Sequence, residues 1–189
     1  AYRLVPIKSQ SQPDRLQFGS IASDIMYDNI MNKFKWGGMN NPDVYIDENN
    51  IRMMTNVTNS FNRLASTLIN EGKKDSAIAV IDRCFELVPF DLVPPGYFTI
   101  ELGNSYFKAG STEKGKMVLE KCFESFNDDL SYYFSLDRKF IQTKAVNEEI
   151  QRTIFYMQVI ERSAQLNNQT EFAKKVGDTM ETYFSKFNM

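Results

Sequence analysis

The chain has 189 residues, 42% of them hydrophobic and 24% charged, with a net charge of −2 and a pI near 5.3. Such a composition predicts one soluble module with enough apolar residues for a core. It argues against nucleic-acid binding, which needs a basic stripe. Histidine is absent, which removes Ser-His-Asp triads, Cys-His pairs and His-based metal sites. No cofactor or metal is called for. No run of about 20 apolar residues exists, so no segment is expected to span a membrane.

In chain order, Ala1–Ile7 is too short and unpatterned for a signal peptide. The chain does not begin with Met, and it is read as a piece of something longer. Tyr2 to Ile7 is β-prone and Ser9 to Gly19 reads as a loop. Ser23-Asp24 offers an N-cap, and Ile25, Met26, Ile30, Met31 and Phe34 predict a short helix from Asp24 to about Lys35. Trp36-Gly37-Gly38 ends it, and Met39 to Asn49 is a loop.

From Asn50 the apolar spacing of Met54, Val57, Phe61, Leu64, Ala65 and Leu68 predicts a long amphipathic helix to about Asn70. Gly72 stands where a left-handed residue closes a helix. Asp75-Ser76 opens a second helix, which Pro89 stops. A third runs from Tyr97 to Lys108, before Gly110. Thr112 is expected to cap a fourth, with Asp128 to Leu136 a separate short helix. Val146 to Leu166 and Thr170 to Phe187 complete the set, with Thr170 as a cap.

Two of these helix pairs are related by a fixed offset. Aligning Gly72 with Gly110 superposes Leu64 on Leu102, Ala65 on Gly103, Leu68 on Tyr106, Ala77 on Gly115, Ile81 on Leu119 and Cys84 on Cys122, all 38 residues apart. Small residues at these points let paired helices approach closely, and large ones fill the gap between pairs. The pattern resembles the tetratricopeptide repeat. A third, degraded unit is expected from Met157 to Ser185, with Ala173 in the small-residue slot. The expected architecture is all-α: two clear tetratricopeptide-like units and one degraded unit over residues 50–189. Residues 1–49 form an N-terminal extension, with a short helix and loops, packed on the repeats.

Several local motifs carry chemistry elsewhere. Gly110 to Lys116 has phosphate-loop spacing, but Met117 stands where Ser or Thr must ligate magnesium, and a helix precedes it. An inter-helix turn is the better reading. Asp43, Asp47, Glu48 and Asn49 suggest a calcium loop, yet Arg52 occupies the required Gly position, which leaves helix capping. Cys84 and Cys122 read as buried, inert thiols in equivalent slots, too far apart for a disulfide. Asp75-Ser76-Ala77 and Asp178-Thr179-Met180 resemble a bacterial O-glycosylation acceptor, but helix initiation explains Ser76 as well. Trp36 could present an aromatic platform to a sugar or peptide. The apolar area a Trp buries favours packing instead.

The first helix of each unit lines the inner face of such a repeat. By register Asn59, Asn62, Ser66, Asn70, Tyr97, Glu101, Asn104 and Lys108 should face it, joined by Gln158 and Arg162 in the third unit. A face of amides, hydroxyls and one aromatic suits an extended peptide or a glycan. A plain solvated face fits equally well. No catalytic residue is expected.

The stretch from Asp24 through Lys35-Trp36-Gly37-Gly38-Met39-Asn40-Asn41-Pro42 to Asn50, followed by Gly72-Lys73-Lys74-Asp75-Ser76-Ala77-Ile78-Ala79-Val80, carries a wider resemblance, which the opening Tyr2-Arg3-Leu4-Val5-Pro6-Ile7 extends. It resembles the C-terminal region of a Bacteroidetes family of multi-pass membrane proteins of unknown function. Their membrane part resembles lipid-sugar-dependent glycosyltransferases of the protein O-mannosyltransferase type. The resemblance implies a soluble tail on the periplasmic side of the inner membrane, attached only through an upstream segment. Its implied role is to hold an acceptor protein, a partner subunit or a glycan, without catalysis of its own. Two alternatives stand beside it. One is a free-standing helical-repeat scaffold. The other is a carboxylate enzyme built from Asp24, Asp28 and Asp43 around the Trp36 loop, which needs two carboxylates within about 5–10 Å.

Overall fold

The computed structural model describes residues 20–187, with side chains as far as Ser185. The expected Tyr2–Ile7 strand-prone segment and the Ser9–Gly19 loop fall outside the described residues. Every regular element among the described residues is helical. The chain divides into two compact units, with the boundary between Pro89 and Phe90.

In the first unit, α1 (Ser23–Asp28) continues as a π-helical turn, Asn29–Lys33. The long helix α2 (Glu48–Asn70) and α3 (Lys74–Leu87) follow. Asp47 caps α2, its carboxylate accepting the Asn50 N–H at 2.8 Å. That satisfies one of the orphan donors of the first turn. The buried stripe of α2 holds Met54, Phe61, Leu64, Ala65 and Leu68, and that of α3 holds Ala77, Val80, Ile81 and Cys84. Both stripes recur at three- and four-residue spacing, as one face of a helix requires. α1 packs on α2. Ser23 donates to both oxygens of Glu71 at 2.8 Å, and Lys73 pairs with Asp24 at 2.8 Å.

The second unit holds α4 (Tyr97–Ala109), α5 (Thr112–Ser135), α6 (Arg138–Ile141), α7 (Lys144–Leu166) and α8 (Thr170–Phe187). α4 pairs with α5 and α7 with α8, while α5 also packs on α7. Phe123 meets Phe172 edge-on at 5.7 Å, and Phe126 lies 5.2 Å from Tyr156.

Three helix-to-helix turns in the chain are built alike. Gly72 closes α2 at φ +77°, Gly110 closes α4 at +93° and Asn168 closes α7 at +59°. In each, the next residue reaches back: Lys73 N–H to Leu68 C=O (2.8 Å), Ser111 to Tyr106 (2.9 Å) and Gln169 to Ala164 (2.8 Å). The left-handed residue itself bonds three back, Gly72 to Ile69, Gly110 to Phe107 and Asn168 to Gln165. This is the Schellman arrangement. The carbonyls of Lys73, Ser111 and Gln169 then accept from Ala77, Gly115 and Ala173 to start the next helix. One residue therefore ends one helix and begins the next.

Three expected caps are corrected, two of them by that sharing. Thr112 and Thr170 are the first residues of their helices, not caps, and Ser111 precedes α5 without a side-chain cap bond. Ser23 likewise lies inside α1, with Ala22 in the cap position. The backbone of the turn fixes the capping position whatever side chain it bears, even Lys73. A further correction concerns α5, which runs unbroken through Asp128–Ser135 instead of stopping for a second helix. No Gly or Pro interrupts it there, and Phe126 and Leu130 keep the buried stripe going.

Gly115 meets a different demand. A Cβ there would lie 2.7 Å from the Phe107 ring, so the start of α5 can cross α4 this closely only without a side chain. Both thiols, Cys84 and Cys122, are buried and free.

Candidate functional site

The four α2 candidates belong to the first unit. Asn59 and Ser66 are half-buried and Asn70 is exposed. Asn62 departs from its expected place on an open face: it is buried, 8% exposed. The helical register puts it next to Phe61, inside the edge of the buried stripe.

In the second unit one contact joins two candidates, Glu101 and Asn104. Asn104 on α4 donates through Nδ2 to Glu101 Oε1 and to Ser163 Oγ on α7, both at 3.1 Å. This bond ties the two helices side by side. The other end of the amide, Asn104 Oδ1, is buried and has no donor among the described residues. On the same two helices Tyr97 is 41% exposed, and Lys108, Gln158 and Arg162 are exposed. Neither Lys108 nor Arg162 lies in an ion pair among the described residues. Burial of the Tyr97 ring raises its hydroxyl pKa, and Glu101 adds to the effect. The candidates on α4 and α7 thus include one aromatic, two cations and an amide bonded across the two helices.

Two residues escape the sequence reading. Ser163 is buried on α7 and fixes Asn104. Phe155 is 51% exposed and stands 58 residues after Tyr97, the same offset that relates Asn168 to Gly110. That offset was the available signal for Phe155. Nothing one-dimensional marks Ser163, because its role depends on α4 and α7 lying side by side.

Trp36 sits in the first unit with its ring 5.6 Å from Phe61 and 5.8 Å from Phe34. The ring is half-buried, and Nε1 finds no acceptor among the described residues. The loop after it turns through Gly37 and Gly38 at φ +62° and +75°.

The three loop carboxylates are engaged separately. Asp24 pairs with Lys73. Asp28 pairs with Lys33 and accepts from Asn32 at 3.0 Å, which holds its pKa below the usual carboxylate value. A general acid needs the opposite shift. Asp43 is exposed, its N–H donating to Asn41 Oδ1 at 3.0 Å. Among the described residues no three His, Cys, Asp or Glu side chains converge as a metal site would require. Burial pushes the Cys84 thiol up to about 12 and Cys122 higher still, the reverse of a nucleophile's environment. Thr179 donates to the Lys175 carbonyl at 2.8 Å within α8, and Ser76 is half-buried in the first turn of α3.

Comparison with known proteins gives one family: a tetratricopeptide repeat matches residues 58–91. That span covers the second half of α2, the Gly72 turn and α3. No curated protein matches the chain, and no solved structure does. The fold is an all-α, tetratricopeptide-like helical repeat.

Proposed function

We propose that the chain is a non-catalytic interaction module whose partner is a protein or peptide. The supporting observation is the tetratricopeptide match at residues 58–91, on a turn that recurs at Gly110 and Asn168. Tetratricopeptide repeats generally mediate protein–protein interaction. In the second unit the α4–α7 face is the docking surface, with Tyr97, Phe155, Lys108 and Arg162 around the Asn104–Ser163 bond. An extended peptide meets such a face with backbone groups and an occasional side chain. A glycan is the alternative ligand, suited to Tyr97 stacking and amide hydrogen bonds.

In this reading residues 1–49 are an extension of a repeat region spanning 50–189. The resemblance of residues 24–50 to the Bacteroidetes membrane family supports a further step: the chain serves as a periplasmic tail that holds a partner near a membrane-bound, glycosyltransferase-like part. No described helix is long and apolar enough to cross a membrane, so in this reading the anchor lies in another segment.

Cross-linking and capture with the purified chain tests the docking surface. Asn104→Ala with Lys108→Glu should abolish capture of a specific partner, while Lys174→Glu on α8 should not. Equal capture by both variants would reject the face. Fractionation of source cells tests the attachment. A band much larger than 21.9 kDa in the inner membrane supports it, and a soluble band of that size overturns it.

A further inference from the structure

The third helix pair follows the second after 58 residues, not 38. The additional chain is the distal part of α5, α6 with its flanking turns, and the first turns of α7, which has 23 residues where α4 has 13. Repeat stacking does not require this insertion, and the residues it exposes are unlike those of an ordinary polar turn. α6 has no buried side chain. Phe140 on it is 48% exposed, and Tyr132 near the end of α5 is 61% exposed. The Lys139 ammonium lies over the Phe140 ring at 4.9 Å. Arg138 is exposed, with no carboxylate partner among the described residues. Lys139 and Lys144 make only long, exposed contacts, 3.6 Å to Asp137 and 3.8 Å to Glu148.

We infer that this corner, Tyr132 to Lys144, is a contact site for an anionic membrane surface. Aromatic rings favour the headgroup region, where one edge is apolar and the other wet. Long cationic side chains beside them reach lipid phosphates while their stems cover apolar surface. From Ser131 to Asn147 the chain carries Arg138, Lys139 and Lys144 against the single acid Asp137. Asp128, Asp129, Glu148 and Glu149 flank this stretch in sequence. A protein-docking patch shares the exposed aromatics but has no need of three cations of which Arg138 has no carboxylate partner among the described residues and Lys139 and Lys144 make only long ion pairs. The inference does not rest on partner capture by the α4–α7 face, which different residues form.

Vesicle flotation with the full chain tests it, using phosphatidylcholine vesicles with and without phosphatidylglycerol. The chain should float with the anionic vesicles and not with phosphatidylcholine alone, and salt should release it. Replacing Arg138, Lys139 and Lys144 together by Gln should lower partition about a hundredfold, since each cation contributes roughly fivefold. Tyr132→Ser with Phe140→Ser should weaken binding too, with an unchanged melting curve because these side chains are exposed. Binding no stronger to anionic vesicles, or wild-type binding by the Gln variant, overturns the inference. Loss of a captured protein by either variant without vesicle binding overturns it equally, by making the corner a protein-docking site.

Discussion

The indole of Trp36 lies against the fully buried ring of Phe61, centroids 5.6 Å apart and planes inclined at 40°. This contact joins the loop after α1 to the buried stripe of α2. Trp36→Ala should therefore destabilise the protein by about 2–3 kcal/mol, below the full range for a core aromatic because the ring is half-buried. Trp36→Phe should cost under about 1 kcal/mol, since it removes a buried N–H that has no described acceptor. Urea unfolding followed by circular dichroism separates the two, as residue 36 is the only tryptophan. Equal losses for both variants would mean that the indole nitrogen is hydrogen-bonded.

The three left-handed turn residues give opposite expectations. Gly72→Ala and Gly110→Ala force a Cβ into positive φ and should each cost about 1–2 kcal/mol, although nothing crowds either position within 4 Å. Asn168→Gly should instead stabilise, by about 0.5 kcal/mol, because Gly is the preferred residue there. Thermal or urea midpoints decide it. A neutral Gly110→Ala would contradict the turn geometry.

The raised thiol of Cys84 has a pH consequence. Its ordinary value is 9.0 and its folded value about 12, so the folded state holds its proton longer than the unfolded one. The related stability is fully present below pH 9 and is lost as pH rises toward 12. Cys122 shifts the same way, through burial alone. Lys73, raised by Asp24 and then Glu71, adds the same sign of dependence. Unfolding free energy should stay flat from pH 7 to about 9 and then fall, by up to about 1.4 kcal/mol per pH unit for each thiol, with the melting temperature following it. Cys84→Ala should reduce that slope. Native-state thiol labelling at pH 8 should be much slower than after denaturation, because burial both raises the thiol pKa and blocks access.

Tyr183 on α8 bonds through its hydroxyl to Ser131 Oγ at 2.7 Å and to Asn127 Oδ1 at 3.0 Å, both on α5. Its ring stacks on Phe134 at 5.3 Å. Tyr183→Phe keeps the stacking and orphans the α5 partners, for an expected loss of about 1–2 kcal/mol. Hydrogen exchange should show the loss first near the C-terminal half of α8. Unchanged stability would mean that water replaces the hydroxyl without cost.

The repeats were readable because their turns need a rare conformation. Gly72 and Gly110 announce positive φ in plain sequence, and the 38-residue offset then aligns the buried residues on both sides. The third turn is fainter because Asn168 takes the glycine's place and Ala164 stands where Leu68 and Tyr106 supply bulk. Helix α5 runs on through Asn127-Asp128-Asp129, where polar residues imitate a break, but Asp128 and Asp129 face solvent and Asn127 holds Tyr183 on α8. α6 is too short to show a period at all. Of the candidate positions, Asn70, Tyr97, Lys108, Gln158 and Arg162 are exposed as their register expects, while Asn59, Ser66, Glu101 and Asn104 are half-buried. Asn62 was misplaced because one step of register separates a face from the buried stripe, and Ser163 was missed because its partner lies 59 residues away.

α5 outlasts its hairpin partner: α4 has 13 residues and α5 has 24, an excess of about 16 Å of helix. Its first half closes the hairpin with α4, and its second half is a wall for α7 and α8 through Phe126 and Tyr183. Repeat proteins commonly evolve by gaining or losing whole units, because each seam falls in a turn. Here one seam falls inside a continuous helix. A deletion that removed the second repeat cleanly in sequence would leave the third without half of its wall. This part of the array is therefore inherited as one indivisible piece.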